Sequence, residues 1–427
     1  EPLIERCRKG EQNLFWPTKI KWFAKSSGTT NAKSKFIPVS DDAIENCHLK
    51  AGKDMLCLYI NNNEETALFN GKALRLGGSN AVYEDNNSYF GDLSAIIIEN
   101  MPFWADFSSA PSQETALMSE WESKMEAIIN ETIHENITSL VGVPSWMLVL
   151  LNRVLEKTGK KNILEVWPNL EVYFHGGVNF NPYREQYRKL IPKKDFKYYE
   201  TYNASEGFFA LQDVNGSLDL LLMLDYGIFY EFIPMSEYEG EASSAIPLSQ
   251  VKKEKNYAVV ISTNGGLWRY LIGDTVKFTS LSPYKIRITG RTKHHINVFG
   301  EELIIENAEE ALKLACKKTK ATITDYTVGP IFMDGKKQGS HEWIIEFAKA
   351  PKNLEYFTEL LDNALKSINS DYEAKRYNNM TLVMPKIHSV KKGLFYSWLK
   401  KKGKLGGQHK VPRLSNKRDF VEELLGL

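Results

Sequence analysis

The sequence predicts a mixed α/β protein with a large N-terminal part and a smaller C-terminal α/β domain. Three observations support this class. Short β-branched and aromatic runs alternate with helical stretches, a strand-rich region extends over 218–278, and the pattern changes again near Gly290. With 427 residues, 43% of them hydrophobic, the chain exceeds the usual size of one domain. We therefore expect an N-terminal domain over 1–290 and a C-terminal domain over 291–427.

In the N-terminal part, the short apolar runs are predicted strands: Leu56–Ile60, Ala95–Ile98 and Leu170–Phe174. A helix is predicted from Ser112, a suitable N-cap with Glu114 in the first turn, to Ile133. A second helix begins near Pro144, which suits a first-turn position, and its apolar face carries Trp146, Leu150 and Val154.

Further along, turn residues separate the strand-like runs Leu220–Leu224, Phe229–Phe232 and Ala258–Ile261. A β-barrel or a second sheet would account for them. In the C-terminal domain we predict two helices, Glu306–Lys317 and Leu354–Ile368, and two strands, Trp343–Phe347 and Thr381–Met384.

Composition gives no indication of a nucleic-acid or membrane partner. Lys and Arg (54) nearly cancel Asp and Glu (53), so no global field favours nucleic acid or an anionic membrane. The four cysteines are too sparse for a disulfide scaffold, and no apolar run reaches the roughly 20 residues of a membrane helix. We expect a soluble, cytoplasmic protein. The chain opens on Glu1 without an initiator methionine or a signal pattern, so we expect that an N-terminal stretch precedes it.

The first candidate site is the loop Lys25-Ser26-Ser27-Gly28-Thr29-Thr30-Asn31. Four hydroxyl groups around one glycine offer donors beside accessible backbone N–H groups, a pattern typical of phosphate binding. Taken alone, a polar surface turn is the alternative. The loop is not a Walker A motif, because the second glycine and the lysine that follows it are missing.

The second candidate is Thr201-Tyr202-Asn203-Ala204-Ser205-Glu206-Gly207, which follows an aromatic, strand-like run. The ring of Tyr202 can stack on a base, and Glu206 can hold Mg²⁺ through its oxygens. An exposed loop after an edge strand is the alternative reading.

The third candidate is Trp268-Arg269-Tyr270-Leu271-Ile272-Gly273-Asp274, a predicted strand that ends on Gly-Asp. A carboxylate at a strand end can accept hydrogen bonds from both ribose hydroxyls. An ordinary turn aspartate is the alternative.

In this order, the three motifs resemble the nucleotide motifs of plant auxin- and jasmonate-conjugating acyl acid amido synthetases and their bacterial relatives. Those enzymes belong to the firefly-luciferase-like adenylate-forming superfamily. The resemblance extends from Asn13-Leu14-Phe15-Trp16-Pro17 to Gln408-His409-Lys410-Val411-Pro412-Arg413. It implies a large adenylate-forming N-terminal domain of β-sheets flanked by helices with a barrel-like part, and a mobile C-terminal domain. It also implies ATP and Mg²⁺ as cofactors.

The resemblance assigns candidate roles residue by residue. Its phosphate loop matches Ser26, Ser27, Gly28, Thr29 and Thr30, with Lys35 as its terminal lysine and Lys33 as the alternative. Asn31 and Ala32 replace its second glycine. Its adenine and ribose contacts match Gly176, Gly177, Thr201, Tyr202, Asp274 and Arg291. The resemblance implies that Glu206 binds Mg²⁺ and that Lys293 lies at a hinge.

Lys410 matches the family's catalytic lysine, which reaches back to the nucleotide, so the resemblance makes Lys410 and Glu206 the catalytic candidates. The other cations of 380–418, a segment without Asp or Glu, are interpreted as solvated surface. Trp146, Met147 and Phe208 are candidate substrate-pocket residues for an apolar or aromatic acid, and plain core packing is the alternative.

The implied activity is adenylation of a carboxylic acid with release of pyrophosphate, followed by transfer of the acyl group to an amine, expected to be an amino acid. The partners would then be a small-molecule acid and an amine, with neither nucleic acid nor membrane. An acyl-CoA ligase that shares the adenylation step and a non-catalytic nucleotide-binding protein are the alternatives.

Overall fold

The computed structural model describes residues 2–26, 35–77, 83–85, 88–178, 180, 183–238, 243–292, 295–301, 303–334, 337–402 and 412–426. These residues form two compact units. Within the described part, the first unit comprises 2–26, 35–180 and 187–292, and the second comprises 183–186 and 295–426.

The strands of the first unit, in chain order, are β1 (Trp22–Ser26), β2 (Lys35–Val39), β3 (Lys72–Leu76), β4 (Tyr83–Asp85), β5 (Ser88–Gly91), β6 (Ser109–Ala110), β7 (Ile137–Gly142), β8 (Val172–Gly176), β9 (Lys197–Ala204), β10 (Gly207–Leu211), β11 (Leu220–Leu222), β12 (Ile228–Pro234), β13 (Ile246–Pro247), β14 (Asn256–Thr263), β15 (Tyr270–Leu281) and β16 (Tyr284–Arg291). Those of the second unit are β17 (His295–Ile296), β18 (Leu303–Ile304), β19 (Thr322–Ile331), β20 (Ser340–Lys349) and β21 (Lys386–Val390).

The α-helices, in chain order, are α1 (Pro2–Arg8), α2 (Asp41–Ala43), α3 (Lys50–Asn62), α4 (Leu93–Glu99), α5 (Phe103–Phe107), α6 (Gln113–Ala116), α7 (Trp121–Thr132), α8 (Pro144–Thr158), α9 (Arg184–Leu190), α10 (Ile305–Thr319), α11 (Leu354–Ile368), α12 (Ser370–Arg376), α13 (Leu394–Lys401) and α14 (Asp419–Leu425). A π-helix, Ile44–Leu49, connects α2 to α3. Among the described helices, none combines the length and apolar content required to cross a bilayer.

One long hydrogen-bonded ladder organises the first unit. Its strand order is β13-β12-β14-β15-β16-β11-β10-β9-β8-β7-β3-β6. The strands β6, β3, β7, β8 and β9 run parallel, whereas every pairing from β9 to β13 is antiparallel. A separate sheet has the order β2-β1-β5-β4. The predicted strand-rich region is therefore confirmed, but its strands continue the parallel ladder instead of forming a second sheet.

Two predicted strands are wrong. Leu56–Ile60 lies inside α3, where Met55, Leu56 and Tyr59 pack on one cluster at helical spacing. Ala95–Ile98 lies inside α4, where most residues are buried. A short apolar run has no distinct period, so burial on several sides decided both cases. The strand predicted over Leu170–Phe174 is confirmed and shifted to β8.

The long helix predicted from Ser112 to Ile133 is two helices, α6 and α7. Ser112 is confirmed as an N-cap, because its hydroxyl accepts a hydrogen bond from the backbone N–H of Thr115. The break after Leu117 is stabilised by Glu120, whose carboxylate accepts from the first amides of α7. The helix predicted from Pro144 is confirmed as α8.

The second unit contains a three-stranded sheet in the order β19-β20-β21, together with the β17–β18 pair. Both predicted helices are confirmed, as α10 and α11, and the strand predicted over Trp343–Phe347 is confirmed within β20. The strand predicted over Thr381–Met384 is wrong, since the third strand is β21. Of that run, Leu382 makes only an isolated bridge, to Gly339.

Candidate functional site

The carboxyl ends of the parallel strands meet along one edge of the sheet. Leu76, Gly142 and His175 stand in one row across β3, β7 and β8. One residue further, Gly176 pairs with Thr201 of β9. In open α/β sheets, ligands bind outside this edge. The predicted adenine-side glycines and Thr201 therefore lie where the fold favours a ligand.

Gly176 is required by the close approach of β9. A Cβ at this position would lie 2.5 Å from Thr201 Oγ1 and 2.6 Å from the Thr201 carbonyl oxygen. Thr201 Oγ1 in turn donates to the carbonyl of His175 at 3.2 Å. Gly177 has φ +82°, which favours glycine. The two glycines thus let the chain turn sharply at the end of β8.

The segment Thr201–Gly207 is a hairpin, not the predicted loop. Thr201 and Tyr202 lie within β9, Glu206 lies in the turn, and Gly207 begins β10. Because β9 pairs with both β8 and β10, it is a central strand. The reading of an exposed loop after an edge strand is therefore wrong.

Asp274 joins three strands at this site. Tyr202 on β9 donates its hydroxyl to Asp274 Oδ2 at 2.8 Å, and Arg291 Nε donates to Asp274 Oδ1 at 2.7 Å. Asp274 and Arg291 are directly opposite each other in the β15–β16 pair. Residues from the second motif, the third motif and the Gly-Arg-Thr-Lys segment therefore meet at one carboxylate.

Burial explains why the Tyr202 hydroxyl stays protonated in this cluster. The Asp274 and Arg291 side chains are only 13% and 17% exposed. Burial, followed by the neighbouring Asp274 carboxylate, raises the pKa of Tyr202 well above its usual value. Tyr202 therefore remains a neutral donor at physiological pH, which is the form that its hydrogen bond to Asp274 requires.

The prediction that a strand ends on Gly273-Asp274 is wrong. Strand β15 continues to Leu281, and Gly273 adopts φ +92° within it. The pairings of β15 shift register on both sides of this stretch, between Ala258 and Val260 of β14 and between Thr275 and Val276. The irregularity places Asp274 opposite Arg291 without ending the strand.

Lys35, the terminal lysine of the first motif, lies beside the third motif. Its Nζ is 3.4 Å from the hydroxyl of Tyr270, at the start of β15. Ser26 is the last residue of β1, and its backbone lies opposite that of Lys35, the first residue of β2. The loop residues Ser27, Gly28, Thr29 and Thr30 lie outside the described residues, as does Lys410.

Glu206 is half-buried in the turn of the hairpin. Among the described residues, no three His, Cys, Asp or Glu side chains are grouped so that they could hold a metal ion. Mg²⁺ is usually held by one or two carboxylates together with substrate phosphates and water. One carboxylate at the carboxyl edge of the sheet fits that mode of binding.

The three predicted substrate residues occupy different environments. Met147 is fully buried within α8, as the alternative of core packing predicts. Trp146 is half-buried, and its ring packs edge-on against Trp121 at 4.3 Å. Phe208 is half-buried directly after the Glu206 turn. Of the three, only Phe208 lies within two residues of a predicted metal- or nucleotide-binding residue, Glu206.

Sequence reasoning did not identify Cys47 as a neighbour of the site. Its Sγ accepts a hydrogen bond from the backbone N–H of Phe208 at 3.2 Å. Burial raises the pKa of this thiol to about 11, so it is protonated at neutral pH. A single cysteine in a helical stretch carries no signal for such a contact in the sequence.

Comparison with solved structures identifies the class of fold. The acyl acid amido synthetase AtGH3.15, solved in complex with 2,4-DB, aligns over 100% of this chain and 85% of its own, with a TM-score of 0.60 and 16% identity. The protein therefore has the α/β fold of this acyl acid amido synthetase, with a large N-terminal and a smaller C-terminal domain. This confirms the predicted fold class.

Three domain models then identify the family. They match the GH3 family N-terminal domain over 1–196, the central domain over 221–291 and the C-terminal domain over 306–419. The chain belongs to the GH3 family, which confirms the resemblance found from the motifs.

Curated relatives are about a quarter identical to this chain over the regions that align. The indole-3-acetic acid-amido synthetase GH3.3 of Arabidopsis thaliana is 24% identical over 61% of this chain and 46% of its own length. The jasmonoyl–L-amino acid synthetase JAR6 of Nicotiana attenuata is 24% identical over 97% of this chain and 82% of its own. The chain thus spans less than half the length of GH3.3 and most of JAR6.

Proposed function

We propose that this protein is an ATP-dependent acyl acid amido synthetase. It activates a carboxylic acid as its adenylate with release of pyrophosphate, and then transfers the acyl group to an amine, an amino acid by analogy with its relatives, with release of AMP. The observation that carries this proposal is the meeting of the family's second and third motifs at Asp274, at the carboxyl edge of the sheet. Membership of the GH3 family supports it independently.

In this proposal, Asp274 and Arg291 bind the ribose of ATP. Each carboxylate oxygen of Asp274 already accepts one protein hydrogen bond, and an ionised carboxylate offers about four acceptor sites. We propose that its other lone pairs accept hydrogen bonds from the two ribose hydroxyls. Gly176, Gly177 and Thr201 form the adenine side of the site.

The role of Tyr202 follows from its contacts. Its ring is buried and packs on Phe209 at 4.8 Å, while its hydroxyl is used by Asp274. Stacking on adenine requires an open ring face. Holding the Asp274 carboxylate in one orientation is therefore better supported than stacking, and we propose that role for Tyr202.

Glu206 is the proposed Mg²⁺ ligand, and the ion would neutralise charge on the nucleotide phosphates. The residues Ser26, Ser27, Gly28, Thr29, Thr30 and Lys35 are the proposed phosphate contacts. Lys410 is proposed to stabilise charge as pyrophosphate leaves. These residues act by positioning and electrostatics, so no acyl-enzyme nucleophile is needed.

The proposal extends to organisation and location. We propose that the C-terminal domain over 291–427 is mobile, because one site that runs two reactions can exchange catalytic groups by reorienting a domain. The four cysteines are free thiols, which supports a reducing, cytoplasmic location. The substrates would be a small apolar or aromatic acid and an amino acid.

ATP–pyrophosphate exchange across a panel of carboxylic acids tests the adenylation step. Exchange should depend on an acid, and Glu206→Ala and Asp274→Ala should each lower it about 10- to 100-fold, since each removes a charged contact. Asp219→Ala is the matched control, because Asp219 pairs with Arg287 in the same unit and has no proposed role. Unchanged exchange in both site variants would refute the assignment.

The acceptor is tested by adding amino acids or CoA to the activating acid and measuring AMP release. Amide formation predicts AMP release and a new conjugate with an amino acid. AMP release only with CoA would instead identify an acyl-CoA ligase, and binding of ATP without any exchange would identify a non-catalytic nucleotide-binding protein.

A further inference from the structure

Two irregular elements meet behind the Glu206 hairpin. Strand β10 carries one extra residue opposite β9, since the register passes from Phe208↔Asn203 to Ala210↔Tyr202. The segment Ile44–Leu49 is a π-helix, which also accommodates an extra residue. Bulges and π-helices often occur beside functional sites, where they redirect side chains.

Cys47 is the contact between these two elements. Its Sγ accepts a hydrogen bond from the Phe208 backbone N–H at 3.2 Å and lies 3.9 Å from the Phe208 carbonyl oxygen. Cys47 is only 2% exposed, so water does not readily replace the sulfur as an acceptor. The partly buried N–H of Phe208 needs a partner, and the thiol supplies it where the bulge begins.

The bulge directs Phe209 toward the site. The Phe209 side chain is fully buried and packs on the ring of Tyr202, whose hydroxyl donates to Asp274. On the other side of the bulge, Glu206 lies two residues before Phe208. The position of the Phe208 backbone therefore affects both carboxylates assigned to the nucleotide.

The hairpin is also fixed from a second direction. A Cβ at Gly207 would lie 2.7 Å from Ile228 Cδ1 of β12. The turn therefore rests closely on Ile228 and cannot shift toward β12. The hydrogen bond to Cys47 holds the hairpin at Phe208 from a different element, the π-helix.

We propose that Cys47 is a positioning residue for Glu206 and, through Phe209 and Tyr202, for Asp274. The inference rests on the proposed function for its catalytic consequence, while the contact itself is independent of that function. The thiol acts as a neutral hydrogen-bonding group and not as a nucleophile, because burial raises its pKa to about 11.

Two substitutions separate the hydrogen bond from packing. Cys47→Val keeps an apolar side chain of similar volume and removes the acceptor, whereas Cys47→Ser keeps a group that can accept from Phe208. We expect Cys47→Val to raise the Mg²⁺ concentration for half-maximal ATP–pyrophosphate exchange roughly three- to tenfold, the factor that corresponds to one ordinary hydrogen bond. Cys47→Ser should restore the wild-type Mg²⁺ dependence.

Hydrogen exchange measured by mass spectrometry on the full chain gives a readout that does not depend on activity. Peptides covering 205–211 should exchange roughly three- to tenfold faster in Cys47→Val than in the wild type, and at the wild-type rate in Cys47→Ser. If Cys47→Val does not fold, Cys47→Ala serves in its place with the same expected ordering against Cys47→Ser.

Cys7→Val is the matched control. Cys7 is equally buried, at 2% exposure, but it packs with Ile20, Phe23 and Phe90 instead of the hairpin. The Cys7→Val variant should leave both the Mg²⁺ dependence and the hydrogen exchange of 205–211 unchanged.

The inference is overturned if Cys7→Val matches Cys47→Val in both measurements, or if Cys47→Ser and Cys47→Val behave alike. If the wild type showed no ATP–pyrophosphate exchange, the proposed function would be refuted. Hydrogen exchange would still decide whether Cys47 holds the hairpin.

Discussion

At the scale of single residues, the site depends on how firmly one carboxylate is oriented. Asp274 accepts from a donor on β9 and from another on β16, and the two donors approach different oxygens. A carboxylate fixed by two donors presents its remaining lone pairs in a defined direction. Hydrogen bonds to a charged acceptor are also stronger than neutral ones. Preorganisation of this kind favours a ligand that carries two adjacent hydroxyls.

Tyr202→Phe tests this orientation. The variant keeps the buried ring and its contact with Phe209, and removes only the hydroxyl that donates to Asp274. We expect KM for ATP to rise about 10-fold with a smaller change in kcat, because a hydrogen bond to a charged group contributes about 1.5–3 kcal/mol and some of that is recovered by water. Steady-state pyrophosphate release at varied ATP concentration measures it.

The control for Tyr202→Phe is Tyr187→Phe. Tyr187 is fully buried and donates its hydroxyl to the carbonyl of Pro144 at 2.7 Å. Loss of the Tyr187 hydroxyl should lower the melting temperature about as much as loss of the Tyr202 hydroxyl does. It should leave KM for ATP unchanged. An equal rise of KM in both variants would show that Tyr202 has no particular connection to the nucleotide.

His48 gives the protein a predictable sensitivity to acid. Burial lowers the pKa of His48 from 6.5 to about 4, so the folded protein keeps this histidine neutral. As the pH falls below about 6.5, the unfolded chain binds a proton that the folded chain cannot, and the free energy of unfolding declines until about pH 4. The full decline from this one group is about 3 kcal/mol.

Urea unfolding of the wild type and His48→Gln between pH 8 and pH 4 tests the assignment. The difference in stability between the two proteins should be constant above pH 7 and shift in favour of the variant as the pH falls to 4. Parallel curves over the whole range would show that another group causes any loss of stability in acid.

At the scale of elements, the end of β8 depends on the absence of a side chain. Gly176→Ala would place a methyl group 2.6 Å from the Thr201 carbonyl oxygen, and this backbone atom is held in the ladder between β8 and β9. We expect a loss of stability of about 1–3 kcal/mol, in the range for overpacking. Chemical denaturation of the purified variant measures it.

Gly52→Ala is the opposite case and serves as the control. Gly52 lies within α3, and a Cβ there would meet nothing within 4 Å. Alanine should stabilise the protein by about 0.5–1 kcal/mol, because glycine is unfavourable within helices. If Gly176→Ala proved as harmless as Gly52→Ala, the close approach of β8 and β9 would be incorrect.

The same elements show how far the sequence alone could predict this molecule. Helix α11 was predicted at its observed bounds and the start of α8 at Pro144, because a clear 3.6-residue period or a first-turn proline marks such helices. Leu56–Ile60 and Ala95–Ile98 were assigned to strands, since runs of four or five apolar residues have no readable period and tertiary packing decided their state. The break between α6 and α7 depends on the cap supplied by Glu120, which the continuous apolar pattern concealed.

The candidate site was likewise predicted only in part from the sequence. The resemblance of short motifs to a family indicated that Tyr202, Asp274 and Arg291 belong together, although they are far apart in sequence. It could not reveal that Asp274 lies inside a strand, because this depends on the bulged pairing of β15 with both neighbours. The contact of Cys47 with Phe208 spans 161 positions and uses a backbone amide, so it leaves no pattern of side chains in the sequence.

At the scale of the whole molecule, each compact unit has its own hydrophobic core. One cluster of the first unit is built from residues between Trp22 and Ile286. A core of the second unit contains Ile344, Trp398 and Leu424. Units with separate cores can unfold separately, so a substitution in one core need not lower the stability of the other.

Asp362→Asn should therefore destabilise the second unit alone. The Asp362 carboxylate is 2% exposed and accepts hydrogen bonds from Tyr372 and from two nitrogens of the nearly buried Arg376. An amide cannot neutralise that guanidinium, and leaving a buried charge unpaired costs about 3–5 kcal/mol. Hydrogen exchange should accelerate in peptides from 354–376 and remain at wild-type rates in 197–211.

Glu422→Gln is the control, since it removes an exposed ion pair with Arg418 in the same unit. It should change stability by less than about 1 kcal/mol. Equal acceleration in both regions of Asp362→Asn would show that the two units unfold as one, and would also weaken the case for a mobile C-terminal domain.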